Sequence, residues 1–322
     1  MEKQKKNCYD VLNHCICSQI DRLIDLMSRC HQSLSLQTIT QNKYYKLMRL
    51  DNLTGYLLLV LPILWVIVIL ANTVLEMVIF IPLFAICGLI ARSAGCIIND
   101  MVDAEFDKQV SRTKNRPLAS GAVTKLEATY ALMFLALLGM IPLFVLSYAS
   151  IVLCLIAGVM TVIYPFLKRY TSYAQVFLGF VFNLGVIVAY LTVSTKASFN
   201  PLLIYIASVL WTIAYDTIYS LQDKDDDTKI GLKSMGIKYE EKIHSILYQL
   251  YSSFIVLILL VGVSTNMSTL FYVLLGCAAF GLYSTVDTLQ VSDPEDCRKK
   301  FKHHVYYGCA ILLAFMFGKT YL

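Results

Sequence analysis

The chain has 322 residues, 57% of them hydrophobic and only 15% charged, with a mean hydropathy of +0.63 and a formal net charge of +5. So little charge over this length argues against a soluble globular protein and for a chain that crosses a membrane several times. Basic loops on one side of a bilayer explain the net positive charge better than a nucleic-acid partner does.

Residues 1–42 form the only long polar stretch. Val11, Leu12, Cys15, Ile16, Ile20, Leu23, Ile24 and Met27 recur at helical spacing, which predicts either an amphipathic helix on a membrane surface or a loosely ordered extension. Glu2, Asp10, Asp21 and Asp25 make this stretch unlike a mitochondrial transit peptide, and no secretory signal sequence is visible. The 10 cysteines are scattered, without a C-x-x-C pair or a Cys/His cluster, so they read as small apolar fillers and not as metal ligands.

From residue 43 onward the chain reads as one transmembrane domain, 43–322, in which apolar runs of spanning length alternate with polar segments. The predicted spans lie near 54–73, 76–98, 126–147, 150–167, 174–195, 200–221, 245–264, 268–289 and 303–320, an all-α fold of about nine transmembrane helices. Segments around Ser147–Ser150, Lys196–Asn200 and Ser264–Ser268 are short; those at 99–125, 168–173, 222–244 and 290–302 are longer or more charged. Lys43, Lys46 and Arg49 precede the first span, and further basic residues follow the second, fourth, sixth and eighth. The positive-inside rule then places the N-terminus and the charged loops in the cytoplasm.

Two of those cytoplasmic span ends are acidic. Asn99, Asp103 and Asp107 are spaced i, i+4, i+8, on one helical face. Asp216, Tyr219, Asp223 and Asp227 fall at i, i+3, i+7, i+11, again one face. Carboxylates stacked in this way repel one another unless a cation sits between them. Oxygen-only ligands suit a hard divalent ion, and magnesium commonly joins one or two carboxylates to a substrate phosphate. The bland alternative is a pair of solvated helix ends. For Asp100, Glu105, Asp225 and Asp226, which point off the shared faces, that alternative is preferred.

Arg112 and Arg116 follow the first cluster four residues apart, so both could reach one anionic group, and guanidinium forks suit phosphate oxygens. Lys168, four residues after Tyr164, offers another cation on the same side, although Lys168 and Arg169 could equally be topology determinants. Lys229 and Lys233 read as solvated loop charges. Arg92 lies seven residues before Asn99, roughly 10 Å deeper along a helix. An intramembrane arginine needs a partner, either a carboxylate-bearing ligand or an internal acid such as Asp216.

Asn99-Asp100-x-x-Asp103-x-x-x-Asp107 with Arg112-Thr113-x-x-Arg116-Pro117-Leu118-x-Ser120-Gly121 resembles the first motif of the UbiA prenyltransferase superfamily, and Asp216-x-x-Tyr219-x-x-x-Asp223-x-x-x-Asp227 resembles its second. Arg92-Ser93-Ala94-Gly95-Cys96 and Tyr164-Pro165-Phe166-Leu167-Lys168-Arg169-Tyr170-Thr171 are similar to the 4-hydroxybenzoate polyprenyltransferase branch. The likeness runs over roughly residues 44–322. It departs after Asp51, where Asn52-Leu53-Thr54-Gly55 stands in place of the family's Lys-Pro-(Ile/Thr)-Gly, so Arg49 and Asp51 carry less weight as site residues.

The resemblance implies nine helices around a central cavity, with polyprenyl diphosphate and a small aromatic acid as substrates and Mg2+ as cofactor. Asn99, Asp103, Asp107, Asp223 and Asp227 would hold magnesium and diphosphate. Arg112, Arg116 and Lys168 would contact the diphosphate, and Arg92 the acceptor carboxylate. Tyr164 joins the substrate-binding set, and Asp216 and Tyr219 are the catalytic candidates. The implied setting is a bacterial inner membrane, or alternatively a mitochondrial one, with no obligate protein partner. Rival readings are another acceptor (haem, dihydroxynaphthoate or homogentisate) or, remotely, an ion-coupled transporter. Transporters tend to place their ionisable groups near the bilayer midplane, whereas these carboxylates gather at one face.

Overall fold

The computed structural model describes residues 42–194 and 196–319; the polar stretch expected over 1–42 falls, apart from Asn42, outside the described residues. The described residues form helices and no strand. In chain order these are α1 (Lys43–Leu47), α2 (Thr54–Leu70), α3 (Val74–Asp107), α4 (Lys125–Met140), α5 (Tyr148–Tyr170), α6 (Ala174–Val193), α7 (Asn200–Ser220), α8 (Lys224–Lys229), α9 (Met235–Lys238), α10 (Ile243–Ser264), α11 (Thr269–Asp287) and α12 (Pro294–Gly318).

The helix starts are written locally. Thr73 accepts a hydrogen bond from the Glu76 amide at the head of α3. At the head of α4, Thr124 and Glu127 bond reciprocally, each side chain to the other's backbone N–H, and so satisfy donors that the first turn would leave orphaned. Asp293 caps α12, with Pro294 in its first turn, where a missing N–H costs nothing.

Among the described residues, 7 helices are long and apolar enough to cross a membrane, so the architecture is that of an all-α integral membrane protein. The other two expected spans differ from prediction. Helix α2 has 17 residues and ends at Leu70, where Lys319 donates to the carbonyls of Val68 and Ile69 (2.9 and 3.0 Å) and of Ala71. Helix α12 starts nine residues before the predicted 303, because an amphipathic charged turn is continuous with the apolar part that hydropathy detects. The third expected span is also shortened: α4 stops at Met140 and a 3-10 turn carrying Pro142 follows.

Packing closes a ring: α2 on α3, α3 on α5, α5 on α6, α6 on α7, α7 on α10, α10 on α11, α11 on α12, and α12 back on α2. One side of the ring is solid. Trp65, Trp211 and Phe254 are fully buried there, with ring centroids 5.2 to 6.2 Å apart, and the Trp65 indole donates to the Gly308 carbonyl at 3.0 Å. A Cβ on Gly308 would come within 2.8 Å of both Leu61 and Trp211, so the missing side chain lets α12 close on α2 and α7. The other side, between α2, α3, α5, α6 and α7, is hollow.

Candidate functional site

The hollow is a cavity of about 900 Å³. Its deep walls are apolar, from Leu59 and Ile63 of α2, Phe84 of α3, and Val181, Leu184 and Val188 of α6. Its rim is charged. Arg92, Asn99, Asp103, Asp107, Arg112, Arg116, Tyr164, Lys168, Asp216, Tyr219, Asp223 and Asp227 all line the cavity, with Arg92 two helical turns before Asn99 on α3, so every site residue expected from the sequence reaches one space.

The first acidic face is built as expected. Helix α3 runs unbroken for 34 residues, so Asn99, Asp103 and Asp107 stay in register. The second face is not one helical stripe. Helix α7 ends at Ser220, a 3-10 turn covers Leu221–Asp223, and α8 restarts at Lys224. Asp223 and Asp227 reach the cavity by way of this break, since a 3-10 turn advances 120° per residue and resets the phase.

The cations between the carboxylates are arginines. Arg112 makes a two-pronged contact with Asp223, Nε to Oδ1 at 2.8 Å and Nη2 to Oδ2 at 2.5 Å, and its guanidinium lies 5.1 Å from the Tyr219 ring centre. Burial alone would lower the pKa of Arg112, but Tyr219 and Asp223 more than offset it and the net shift is upward. Arg116 Nη1 donates to Asp107 at 2.8 and 3.0 Å and to Asp100 at 3.2 Å. The two arginines therefore do not converge on one point, as their spacing suggested; each holds a different acidic helix end.

Asp100 corrects a sequence expectation. It is 1% exposed, not solvated, and accepts from Arg49 Nη2 at 2.8 and 2.9 Å as well as from Arg116. Arg49 is thus part of the site's frame, held with φ at 57° just before α2. Its partner lies 51 positions away, a pairing that no local period could reveal. Asp226 accepts from the Ser111 amide at 3.0 Å and ties α8 to the loop that carries Arg112. Among the described residues Glu105 pairs with Lys108 alone, on the surface, as a solvated helix end should.

Arg169 is more than a topology determinant. Its Nη2 donates to the Val102 carbonyl at 3.1 Å and lies 3.6 Å from Asp103, and its guanidinium faces the Phe106 ring at 4.6 Å. Lys233 is likewise not a free loop charge: it lines the cavity, and its ammonium donates to the Tyr170 carbonyl at 3.3 Å.

Arg92, Asp216 and Asp227 contrast with these paired groups. Among the described residues none of the three forms an ion pair or a side-chain hydrogen bond, so the internal Arg92–Asp216 pair does not form. Arg92 instead faces the Phe182 ring at 5.7 Å, and Arg92 and Lys168 are the cations that act on Asp216 electrostatically. No three acidic, histidine or cysteine residues among those described stand close enough together to cage a metal ion. The donors on the two acidic ends are nonetheless all oxygen, which suits magnesium.

The profile of the UbiA prenyltransferase family matches residues 59–312. The chain is similar to the 4-hydroxybenzoate octaprenyltransferase of Pasteurella multocida (strain Pm70), 36% identical over 278 residues that make up 85% of this chain and 94% of that protein. It is similar to the mitochondrial 4-hydroxybenzoate polyprenyltransferase of Dictyostelium discoideum, 35% identical over 287 residues, 86% of this chain and 60% of that protein. Its backbone resembles that of an apo UbiA homologue from Aeropyrum pernix K1, with a TM-score of 0.67 at 21% identity, covering 80% of this chain and 96% of that one. A UbiA homologue from Archaeoglobus fulgidus bound to GPP and Mg2+ gives a TM-score of 0.56 at 16% identity, covering 84% and 100%. At such identities the two structures speak for the fold alone.

Proposed function

The chain belongs to the UbiA prenyltransferase family, and we infer that it transfers a polyprenyl group from polyprenyl diphosphate to the ring of 4-hydroxybenzoate, ortho to the hydroxyl. Diphosphate is released, and the product enters ubiquinone biosynthesis. The relatives that cover most of both chains carry this activity in their names. The observation that carries the chemistry is the division of one cavity into a charged rim and an apolar interior, with Arg92 inside and without an ion pair among the described residues.

Arg112, Arg116 and Lys168 bind the diphosphate oxygens and stabilise the charge that develops as the allylic C–O bond breaks. Asn99, Asp103, Asp107, Asp223 and Asp227 are the residues that would hold magnesium. When bound, magnesium supplies Lewis-acid neutralisation of the departing diphosphate. The exchange is charge-balanced, because arginines that leave Asp107 and Asp223 for phosphate oxygens free those carboxylates for a metal. Apolar walls around Phe84, Val181 and Leu184 keep water from the allylic cation. Arg92 fixes the acceptor by its carboxylate. Asp216 takes the proton lost from the ring, directly or through the hydroxyl, with Tyr164 and Tyr219 flanking the reacting groups.

We read α2 and α12 as spans in addition to the 7 long ones, which gives nine helices. The protein is a multi-pass membrane protein, assigned here to a bacterial inner membrane. Its basic loops support a cytoplasmic N-terminus, with the charged rim facing the cytoplasm. Membranes containing the protein, incubated with labelled 4-hydroxybenzoate and polyprenyl diphosphates of several lengths, test the function. Magnesium-dependent prenylation of 4-hydroxybenzoate ahead of dihydroxynaphthoate, homogentisate and haem is expected; preference for one of those, or turnover without a divalent metal, would refute it.

A further inference from the structure

Gly55, one residue inside α2, lies against the guanidinium of Arg92. A Cβ built there would stand 2.5 Å from Nη2, 2.9 Å from Cζ and 3.0 Å from Nε of Arg92, and these are its three nearest neighbours. The backbone at Gly55 is helical, with none of the positive φ found at Gly121 and Gly231, so its conformation does not require glycine. What requires it is the arginine. The Phe182 ring of α6 also stands 5.7 Å from the same guanidinium, which thus has a bare stretch of helix and an aromatic ring as neighbours. Its N–H groups have no protein partner among the described residues.

We infer that Gly55 is a positioning residue for the acceptor: its missing side chain lets the Arg92 guanidinium lie flat against α2, aimed at the acceptor carboxylate. This rests on the reading of Arg92 as the acceptor's anchor. A methyl at position 55 pushes the guanidinium toward the space the ring would fill, and misplaces a charge-assisted hydrogen bond without removing the charge. It does not touch the diphosphate rim, where Arg112 and Arg116 are held by their own carboxylates.

Equilibrium binding of labelled 4-hydroxybenzoate to the full chain in nanodiscs, in the presence of magnesium and an unreactive prenyl thiolodiphosphate, is the test. Gly55→Ala should weaken 4-hydroxybenzoate binding about tenfold, the loss expected when a hydrogen bond to a charged group is displaced. Binding of the thiolodiphosphate should stay at the wild-type value. The melting temperature should not fall, because alanine is the better helix former. Unchanged 4-hydroxybenzoate affinity overturns the inference. So does an equal loss for both ligands or a lowered melting temperature, either of which marks Gly55 as a packing residue.

Arg92→Leu separates the two claims. If it leaves 4-hydroxybenzoate binding unchanged, the acceptor reading of Arg92 is wrong and Gly55 loses its role with it. If Arg92→Leu weakens binding and Gly55→Ala does not, only the inference about Gly55 falls. In the double variant, Gly55→Ala should add nothing to Arg92→Leu, and an additive loss would contradict the coupling.

Discussion

The two acidic helix ends look alike in sequence and are built differently. At the end of α3, Asp100 and Asp107 are buried and paired, tied through Arg49 and Arg116 to the segment before α2 and to the loop after α3. At the end of α7, only Asp223 holds an arginine, while Asp216 and Asp227 face the cavity without an ion pair among the described residues. The helix itself follows the same division, continuous through Asp107 but broken at Ser220. The first end is a frame whose charges are largely satisfied within the protein. The second keeps carboxylates unspent, as chemistry on a bound substrate requires.

That contrast breaks most visibly at Asp216. Asp216→Asn should lower turnover by roughly 100-fold or more, the usual worth of a positioned general base. It should not lower the melting temperature, because Asp216 makes no ion pair or side-chain hydrogen bond among the described residues for the change to break. A drop in melting temperature to match the loss of activity would show Asp216 to be structural. Asp100→Ala should do the converse. It leaves Arg49 and Arg116 facing a buried gap, which costs about 3 kcal/mol, a lower melting temperature and lower yield. Normal thermal stability of that variant would mean that the α3 end is not a frame.

Arg112→Gln should have the smallest effect and sharpen the exchange between arginine and metal. Its polyprenyl diphosphate KM should rise about tenfold, as for loss of one charge-assisted contact. Metal binding without diphosphate should tighten, because Asp223 is released. Weaker metal binding in this variant would deny that the two cations compete for one carboxylate.

Much of this was readable because lipid leaves few options. A chain in a bilayer must be helical and apolar where it spans, so hydropathy marks α5, α6, α7, α10 and α11 to within a few residues. Hydropathy fails where a helix is half charged, as in α12, whose first turns carry Arg298, Lys299, Lys300 and Lys302. Helical period holds along α3 because it is one helix. It fails at Asp223 and Asp227, where a 3-10 turn intervenes. Period is also blind to Asp100, whose importance comes from Arg49, a residue brought over it by the fold. Nothing in the local sequence ties Phe182 or Gly55 to Arg92, since the link is a distance that only the fold sets.

The central claim is that the two unlike ends grip one diphosphate together. Equilibrium binding of a prenyl thiolodiphosphate to the full chain in nanodiscs, with and without magnesium, measures it most directly when Asp103→Ala and Asp223→Ala are set beside the wild type. Magnesium-dependent binding by the wild type, lost in both variants, is the expected result. Binding that survives in either variant at saturating magnesium would contradict the claim and leave that helix end without a part in the site.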